Sequence, residues 1–469
     1  LGKSLLAELY ILFTMHNYST GNESPTICYI VPTNALINQV CRNLKDDFVE
    51  FGFNIETVLP FYDIDQIEEE ILTSKKIDIL VSTPEKLDFL IRKDHPSLKN
   101  LRLVILDEAH NIADETRGSK FELLLATIKQ RRRNVNFLLL SPFIRNSKNI
   151  ARWLGDTDQD SVSISINWSP TKQYIGCNIL KRGKTESYVV YYPTDRNNIV
   201  KEPIEIDLEL NPHIVKSEIG EDRIEYTKSI ILIEKYINLG TVLVVCEGPG
   251  TSEKLASYCV YYFKKKKLLN YVGNQSEIKR LIELIKLETT EDDILIKCLE
   301  YGIVYHHSRL SALIKEEIEK LISKKELIKI VCATTTLAQG MNFPITTVIF
   351  DTLKVGRGEN ANGLKEAEFW NIAGRAGRAY MDKEGHIITP YVSSQTATKE
   401  AVLKYIKYSL KEILSSLNDF FDHLKEDFSF NSELIESHPA VSNFLQYLNH
   451  MVRVAHNYKI DTIDMNKIR

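Results

Sequence analysis

Residues 101–110 read LRLVILDEAH. The first six form an almost unbroken apolar run of strand length, and two carboxylates follow at its C-terminal end. A run of this kind suits a strand buried on both faces of a parallel sheet. Ligands of open α/β sheets bind beyond the carboxyl ends of the strands, which is where Asp107 and Glu108 stand. An isolated Asp-Glu pair is also an ordinary polar strand end that caps the next helix. Its surroundings decide between the two.

The chain opens LGKSLLAELYILF. Gly2-Lys3-Ser4 followed by an apolar, helix-forming run looks like the tail of a phosphate-binding loop, G-x-x-x-x-G-K-[ST]. Alone, the tripeptide is equally a lysine near a helix start. Paired with the carboxylates of 107 and 108, it predicts phosphoryl chemistry, with Asp107 on magnesium and Glu108 orienting or deprotonating the attacking water.

The flanking sequence repeats the strand pattern. ICYIV (27–31), IDILVS (77–82) and NFLLLS (136–141) are near-continuous apolar runs. Between them, Leu36, Ile37, Val40, Leu44, Phe48 and Phe51 recur at helical spacing. Thr83-Pro84 is a helix start, with an N-cap hydroxyl and proline at the first helical position. Alternation of this kind predicts a doubly wound α/β domain over 1–170.

From 171 to 229 the pattern loosens into short strand-like pieces and polar breaks, read as a connection or inserted hairpin region. It resumes with TVLVVC (241–246), GIVYHH (302–307), IKIVCA (328–333) and TVIFD (347–351), separated by helices, and predicts a second α/β domain over 230–395. In 396–469, Val402, Ile406, Leu410, Ile413, Leu417, Phe420 and Leu424 step by three and four, which predicts a long amphipathic helix. A shorter one is expected through Phe444, Leu448, Met451 and Val452.

Composition sets outer limits. At 469 residues the chain has room for roughly three domains or two large ones. No apolar run reaches the length of a membrane span, so an integral membrane protein with helical spans is excluded. Seven cysteines with no C-x-x-C pair read as small buried residues in a reducing compartment, hence an expected cytoplasmic location. With a net charge of −4, any nucleic-acid contact must come from a local surface.

FWNIAGRAGRAY (369–380) is the second chemical signal. Gly374 and Gly377 give tight turns, and Arg375 and Arg378, three apart, lie on one side of a helical turn, placed to reach a γ-phosphate across a cleft. Seen alone, the segment is also a solvated basic helix start.

With these residues in hand, the chain resembles the superfamily 2 DExH-box helicases, nearest to their superkiller-like branch. Motifs run in the family's order over roughly 1–395: LGKS (motif I), VPTNALINQ (Ia), STPEKLDFL (Ib), LDEAH (II), LLLSPF (III), RWLG, VLVVCEGPGTSEKLA (IV), YHHSRLS, ATTTLAQGMNFP (V) and NIAGRAGR (VI). The resemblance implies two RecA-like P-loop domains followed by a helical segment. It also implies ATP and Mg²⁺ as cofactors and single-stranded RNA or DNA as partner, with 3′-to-5′ movement.

By position, it implies that Gly2, Lys3 and Ser4 hold the phosphates and that Ser4 and Asp107 share the metal. Glu108 activates water, and His110 links that site to the facing domain. Gly340 and Asn342 line the nucleotide, and Arg375 and Arg378 complete the site. For nucleic acid it points to Pro32, Thr33, Asn34, Thr83, Pro84, Lys86, Thr251, Thr334, Thr335 and Thr336. These are hydroxyls and backbone amides that suit phosphate contacts without sequence preference.

The sequence departs from the family at Ser141-Pro142-Phe143, where motif III has Ser-Ala-Thr; at Asn371, where motif VI has glutamine; and at Gly248-Pro249-Gly250 in motif IV. The half of the phosphate loop before Gly2 and the strand ahead of it are absent from this sequence. The chain is therefore expected to be a piece of a longer helicase, with a first domain of poor stability and no competent ATPase of its own.

Lys264–Lys267 and Arg131–Arg133 read as solvated faces. His306 and His307, adjacent on a strand, point to opposite faces and are read without a metal role. A double-strand translocase that does not unwind, and a nucleic-acid-binding module of a larger complex, remain open beside the helicase. Other subunits of a processing, repair or defence complex are expected partners, a bacterial relative is the expected source, and no membrane contact is expected.

Overall fold

The computed structural model describes residues 3–19, 24–57, 76–113, 117–131, 134–141, 144, 146–155, 162–164, 171–180, 187–192, 202, 204–207, 224–289, 293–324, 327–335, 343–355, 362–377, 382, 384–389, 400 and 404–406. They fall into two compact units, one built within Leu1–Ile166 and the other spanning Asn167–Ser409.

The first unit carries α1 (Lys3–Tyr18), β1 (Thr26–Ile30), α2 (Asn34–Asp47), β2 (Ile55–Thr57), β3 (Ile79–Ser82), α3 (Pro84–Arg92), β4 (Leu101–Leu106), α4 (Gly118–Arg131), β5 (Asn136–Leu139) and α5 (Ser147–Leu154). Its five strands among the described residues are all parallel, in the order β2-β3-β1-β4-β5. Successive strand side chains point to opposite faces, and the two cores divide accordingly. Cys28, Ile30, Leu80, Val104 and Leu106 pack with α3, α4 and α5. Ile27, Tyr29, Ile79, Val81, Leu103 and Ile105 pack with α1 and α2. The unbroken apolar runs of the sequence thus mark strands covered on both sides, as a parallel sheet requires.

The second unit carries β6 (Lys172–Leu180), β7 (Ser187–Tyr191), β8 (Ile204–Asp207), α6 (Ile224–Tyr236), β9 (Thr241–Val245), α7 (Pro249–Lys266), α8 (Ser276–Glu288), α9 (Ile294–Leu299), β10 (Ile303–His306), α10 (Ala312–Ser323), β11 (Ile330–Ala333), β12 (Ile345–Phe350), the two-residue strands β13 (Lys354–Val355) and β14 (Asn362–Gly363), α11 (Glu366–Ala373) and β15 (Glu384–Thr389). Eight strands form one mixed sheet in the order β10-β11-β9-β12-β15-β6-β7-β8. From β10 to β6 the pairings are parallel, and β6, β7 and β8 meander antiparallel at one edge.

Part of the 171–229 stretch, expected as a connection or inserted hairpin region, therefore belongs to this sheet. β6 pairs in register with β15 from Lys172↔Glu384 to Cys177↔Thr389. Of the helix expected in 396–469, only 400 and 404–406 lie within the described residues. There the Trp370 indole N–H donates to the Tyr405 carbonyl at 2.8 Å, and the rings of Tyr405 and Phe369 stack 4.2 Å apart. The later residues, and with them the expected helices, lie outside the described set.

Candidate nucleotide and nucleic-acid sites

In the first unit, α1 begins at Lys3 and β4 ends at Leu106, and Lys3 Nζ lies 3.1 Å from Glu108 Oε1. This pair spans 105 positions of sequence. The Asp107 N–H donates to the Ile30 carbonyl at 2.9 Å, which carries the β1–β4 pairing one residue past the strand. Glu108 then turns the chain with a φ of 50°, in the left-handed region that non-glycine residues seldom occupy. Its N–H donates to Asp107 Oδ1 at 2.8 Å, and its carbonyl accepts from Asn111 Nδ2 at 2.8 Å. The Ala109 N–H donates to the Leu140 carbonyl at 2.9 Å, so the DEAH segment is tied to β1, β4 and the end of β5.

Burial pushes the Asp107 carboxyl above its ordinary range, opposed first by the Lys3 ammonium. The Tyr29 phenol is itself pushed up, chiefly by burial and then by the Asp107 charge. Burial also lowers His110, against the pull of Glu108. His110 Nδ1 lies 3.3 Å from Glu108 Oε2 and 3.5 Å from Ser141 Oγ. The His110–Glu108 approach is close but not aligned as a hydrogen bond. Among the described residues, Glu108 Oε2 is a buried acceptor with no donor.

This donor set fits a magnesium-bound triphosphate. The Lys3 ammonium pairs with Glu108, burial opposes the charge on Asp107, and among the described residues Glu108 Oε2 is a buried acceptor with no donor. A divalent cation would offset the carboxylate charge. Ser4 lies exposed on the first turn of α1. Gly2 lies outside the described residues.

The expected nucleic-acid loops of this unit follow β1 and β3. Thr33 and Thr83 occupy the N-cap positions of α2 and α3 in extended backbone, and neither hydroxyl caps its helix. Pro32 and Thr33 are half-buried, whereas Thr83, Pro84 and Lys86 are buried. Asn34 opens α2. Sequence reasoning missed Arg117. Its Nη1 donates to the Pro32 carbonyl at 2.9 Å, and its Nε and Nη2 donate to Glu85 Oε1 at 2.9 and 2.6 Å. One guanidinium fork thus braces both loops. Its signal lay just past the DEAH segment, but nothing in its spacing named its partners.

In the second unit, Gly248 and Pro249 start α7, Thr251 sits half-buried on its first turn, and Ser252 Oγ donates to the Pro249 carbonyl at 2.7 Å. His306 and His307 diverge, with His306 Nε2 3.0 Å from Glu319 on α10 and His307 Nε2 2.9 Å from Glu253 on α7. Thr334 is buried and its N–H donates to the His306 carbonyl at 3.1 Å, while Thr335 is half-buried. Arg375 lies on the turn that follows α11. Thr336, Gly340, Asn342 and Arg378 lie outside the described residues.

Residues 1–147 match the DEAD/DEAH box helicase family, and residues 262–380 match the Helicase conserved C-terminal domain. The chain therefore carries a helicase domain of each kind. It is 28% identical over 423 residues to Hachiman protein HamB of Bacillus cereus, covering 86% of this chain and 36% of that protein. It is 26% identical over 463 residues to ATP-dependent DNA helicase MER3 of Saccharomyces cerevisiae, covering 97% and 34%. It is 25% identical over 391 residues to ATP-dependent DNA helicase Hel308 of Methanococcus vannielii, covering 82% and 46%. The chain thus spans between a third and a half of the length of these relatives.

Proposed function

We propose that this chain is the motor portion of an ATP-dependent helicase that moves on single-stranded nucleic acid. The observation that carries the reading is the cluster of Lys3, Asp107, Glu108 and His110 at the carboxyl ends of parallel strands. Lys3 binds phosphate oxygens, and Asp107 with Ser4 would hold magnesium. Magnesium, when bound, neutralises charge on the phosphates. Glu108 takes a proton from the attacking water at Oε2, the buried acceptor that meets no donor among the described residues. His110, whose pKa burial lowers, lies beside that carboxylate and beside Ser141.

DNA is the proposed track, because MER3 and Hel308 are both named as DNA helicases. The proposed polarity is 3′ to 5′, from the resemblance to the superkiller-like branch. The proposed absence of sequence preference rests on the half-buried Thr33, Thr251 and Thr335 and the backbone groups of their loops, which suit phosphate contacts. Cytoplasmic location and partner subunits of a processing, repair or defence complex belong to the same proposal. Among the described residues, no helix is long and apolar enough to cross a membrane.

The test is phosphate release by the full-length protein with matched single-stranded DNA and RNA, followed by strand displacement on duplexes with 3′ or 5′ tails. DNA-stimulated hydrolysis and unwinding from a 3′ tail are expected. Stimulated hydrolysis without displacement on either tail would replace the helicase with a translocase that does not unwind.

A further inference from the structure

The turn that carries Arg375 is held against the sheet by a residue that no motif contains. Gln173, the second residue of β6, donates from Nε2 to the Ala376 carbonyl at 2.9 Å and more weakly to the Gly374 carbonyl at 3.4 Å. These two carbonyls flank Arg375 in sequence. Gln173 stands directly across the β15–β6 ladder from Gly385. A Cβ at Gly385 would lie 2.3 Å from the Ala376 carbonyl oxygen and 2.7 Å from the Gly377 nitrogen. The turn therefore rests on the bare backbone of β15 at the register where β6 supplies the amide.

Two further contacts fix its exit. Gly377 has a φ of 81°, and its N–H donates to the Ile345 carbonyl at 2.9 Å. A Cβ there would meet Thr171 Cγ2 at 2.5 Å. The turn is thus pinned from β6, β12 and β15 together, and of these contacts only the one from Gln173 is made by a side-chain donor.

We propose that Gln173 is a positioning residue for motif VI, holding the backbone on both sides of Arg375 so that the guanidinium is presented in one orientation. This rests on the proposed role of Arg375 in ATP hydrolysis. The hydrogen bonds themselves do not depend on that role, so the two are separable. Gln173→Glu keeps the shape but sets a carboxylate oxygen against two carbonyls. Gln173→Met keeps the length without a donor, and Gln173→Lys keeps a donor at similar reach.

Hydrogen exchange of the 370–377 segment in the full-length protein reads the positioning directly. Exchange about tenfold faster is expected in the Glu and Met variants and near-native exchange in the Lys variant. In the same preparations kcat for ATP should fall about tenfold in Glu and Met, with KM for ATP within about twofold, and recover in Lys. Unchanged exchange in Gln173→Glu and Gln173→Met overturns the proposal. If exchange rises as expected while Arg375→Ala keeps full kcat, the positioning stands and the reading of Arg375 as catalytic falls.

Discussion

Glu108 holds a left-handed backbone conformation although it is not glycine, and its carboxylate meets Lys3 on one oxygen while the other is buried with no donor among the described residues. Such a conformation costs roughly 1–3 kcal/mol and persists only where the surroundings impose it. Here the Asn111 amide and the Asp107 carboxylate fix the turn from either side. Glu108→Gln keeps that geometry and removes the base. It should bind ATP with magnesium at near-native affinity while single-turnover hydrolysis falls by about 10²–10⁴. Hydrolysis at the native rate in that variant would remove Glu108 from the mechanism. Arg375→Ala should cut turnover by about 10³, with nucleotide affinity little changed, because its charge acts mainly on the transition state. A titration showing lost affinity with unchanged turnover would contradict this.

Contact between elements explains what the sequence could and could not reveal. β1, β3 and β4 were legible because each is buried on both faces, which leaves an unbroken apolar run; β5 was legible from its apolar run although it is half-buried, and the three-residue β2 left no such run. β6 to β8 were legible only as strand-like pieces of a hairpin region, because they form an antiparallel edge where short strands are interrupted by polar residues; their place in the second sheet was not. Lys3 and Glu108 could be paired from sequence, since both belong to motifs whose chemistry requires them together. Gln173 and Ala376 lie 203 positions apart and belong to no shared pattern. Arg117 is similar: a fork of donors near a motif says nothing about which loop carbonyl it will reach. His306 and His307 were legible at the level of direction, since adjacent strand residues face opposite sides, and they meet Glu319 and Glu253 on different helices. At the β15 contact, Gly385→Ala should destabilise the protein by about 2 kcal/mol, because the obstructing atoms are backbone and cannot rotate away. A thermal melt unchanged from the native protein would show that the turn does not rest on β15.

At the scale of the molecule, acid should weaken the second unit through His386. Its Nδ1 lies 2.9 Å from the Tyr191 hydroxyl, which also bonds to Tyr236, and Tyr174 stacks on its ring. Burial holds its pKa below the ordinary histidine value, against the pull of Glu384, whose carboxylate lies 3.4 Å from Nε2. The unfolded chain takes up a proton near the ordinary value of about 6.5. The folded chain does not until lower pH, so stability is full above that value and lost as pH falls through it. His386→Asn should lower the melting temperature at neutral pH and flatten its decline towards pH 5. An equal decline in both proteins would assign the acid sensitivity elsewhere. In the proposed motor, the cluster of Lys3, Asp107 and Glu108 drives movement on a nucleic-acid strand. The most direct test of this role is steady-state phosphate release by the full-length protein, native and Lys3→Ala, with and without single-stranded DNA. Hydrolysis that DNA stimulates in the native protein and that Lys3→Ala abolishes is expected. Hydrolysis indifferent to DNA, or undiminished by Lys3→Ala, would contradict it.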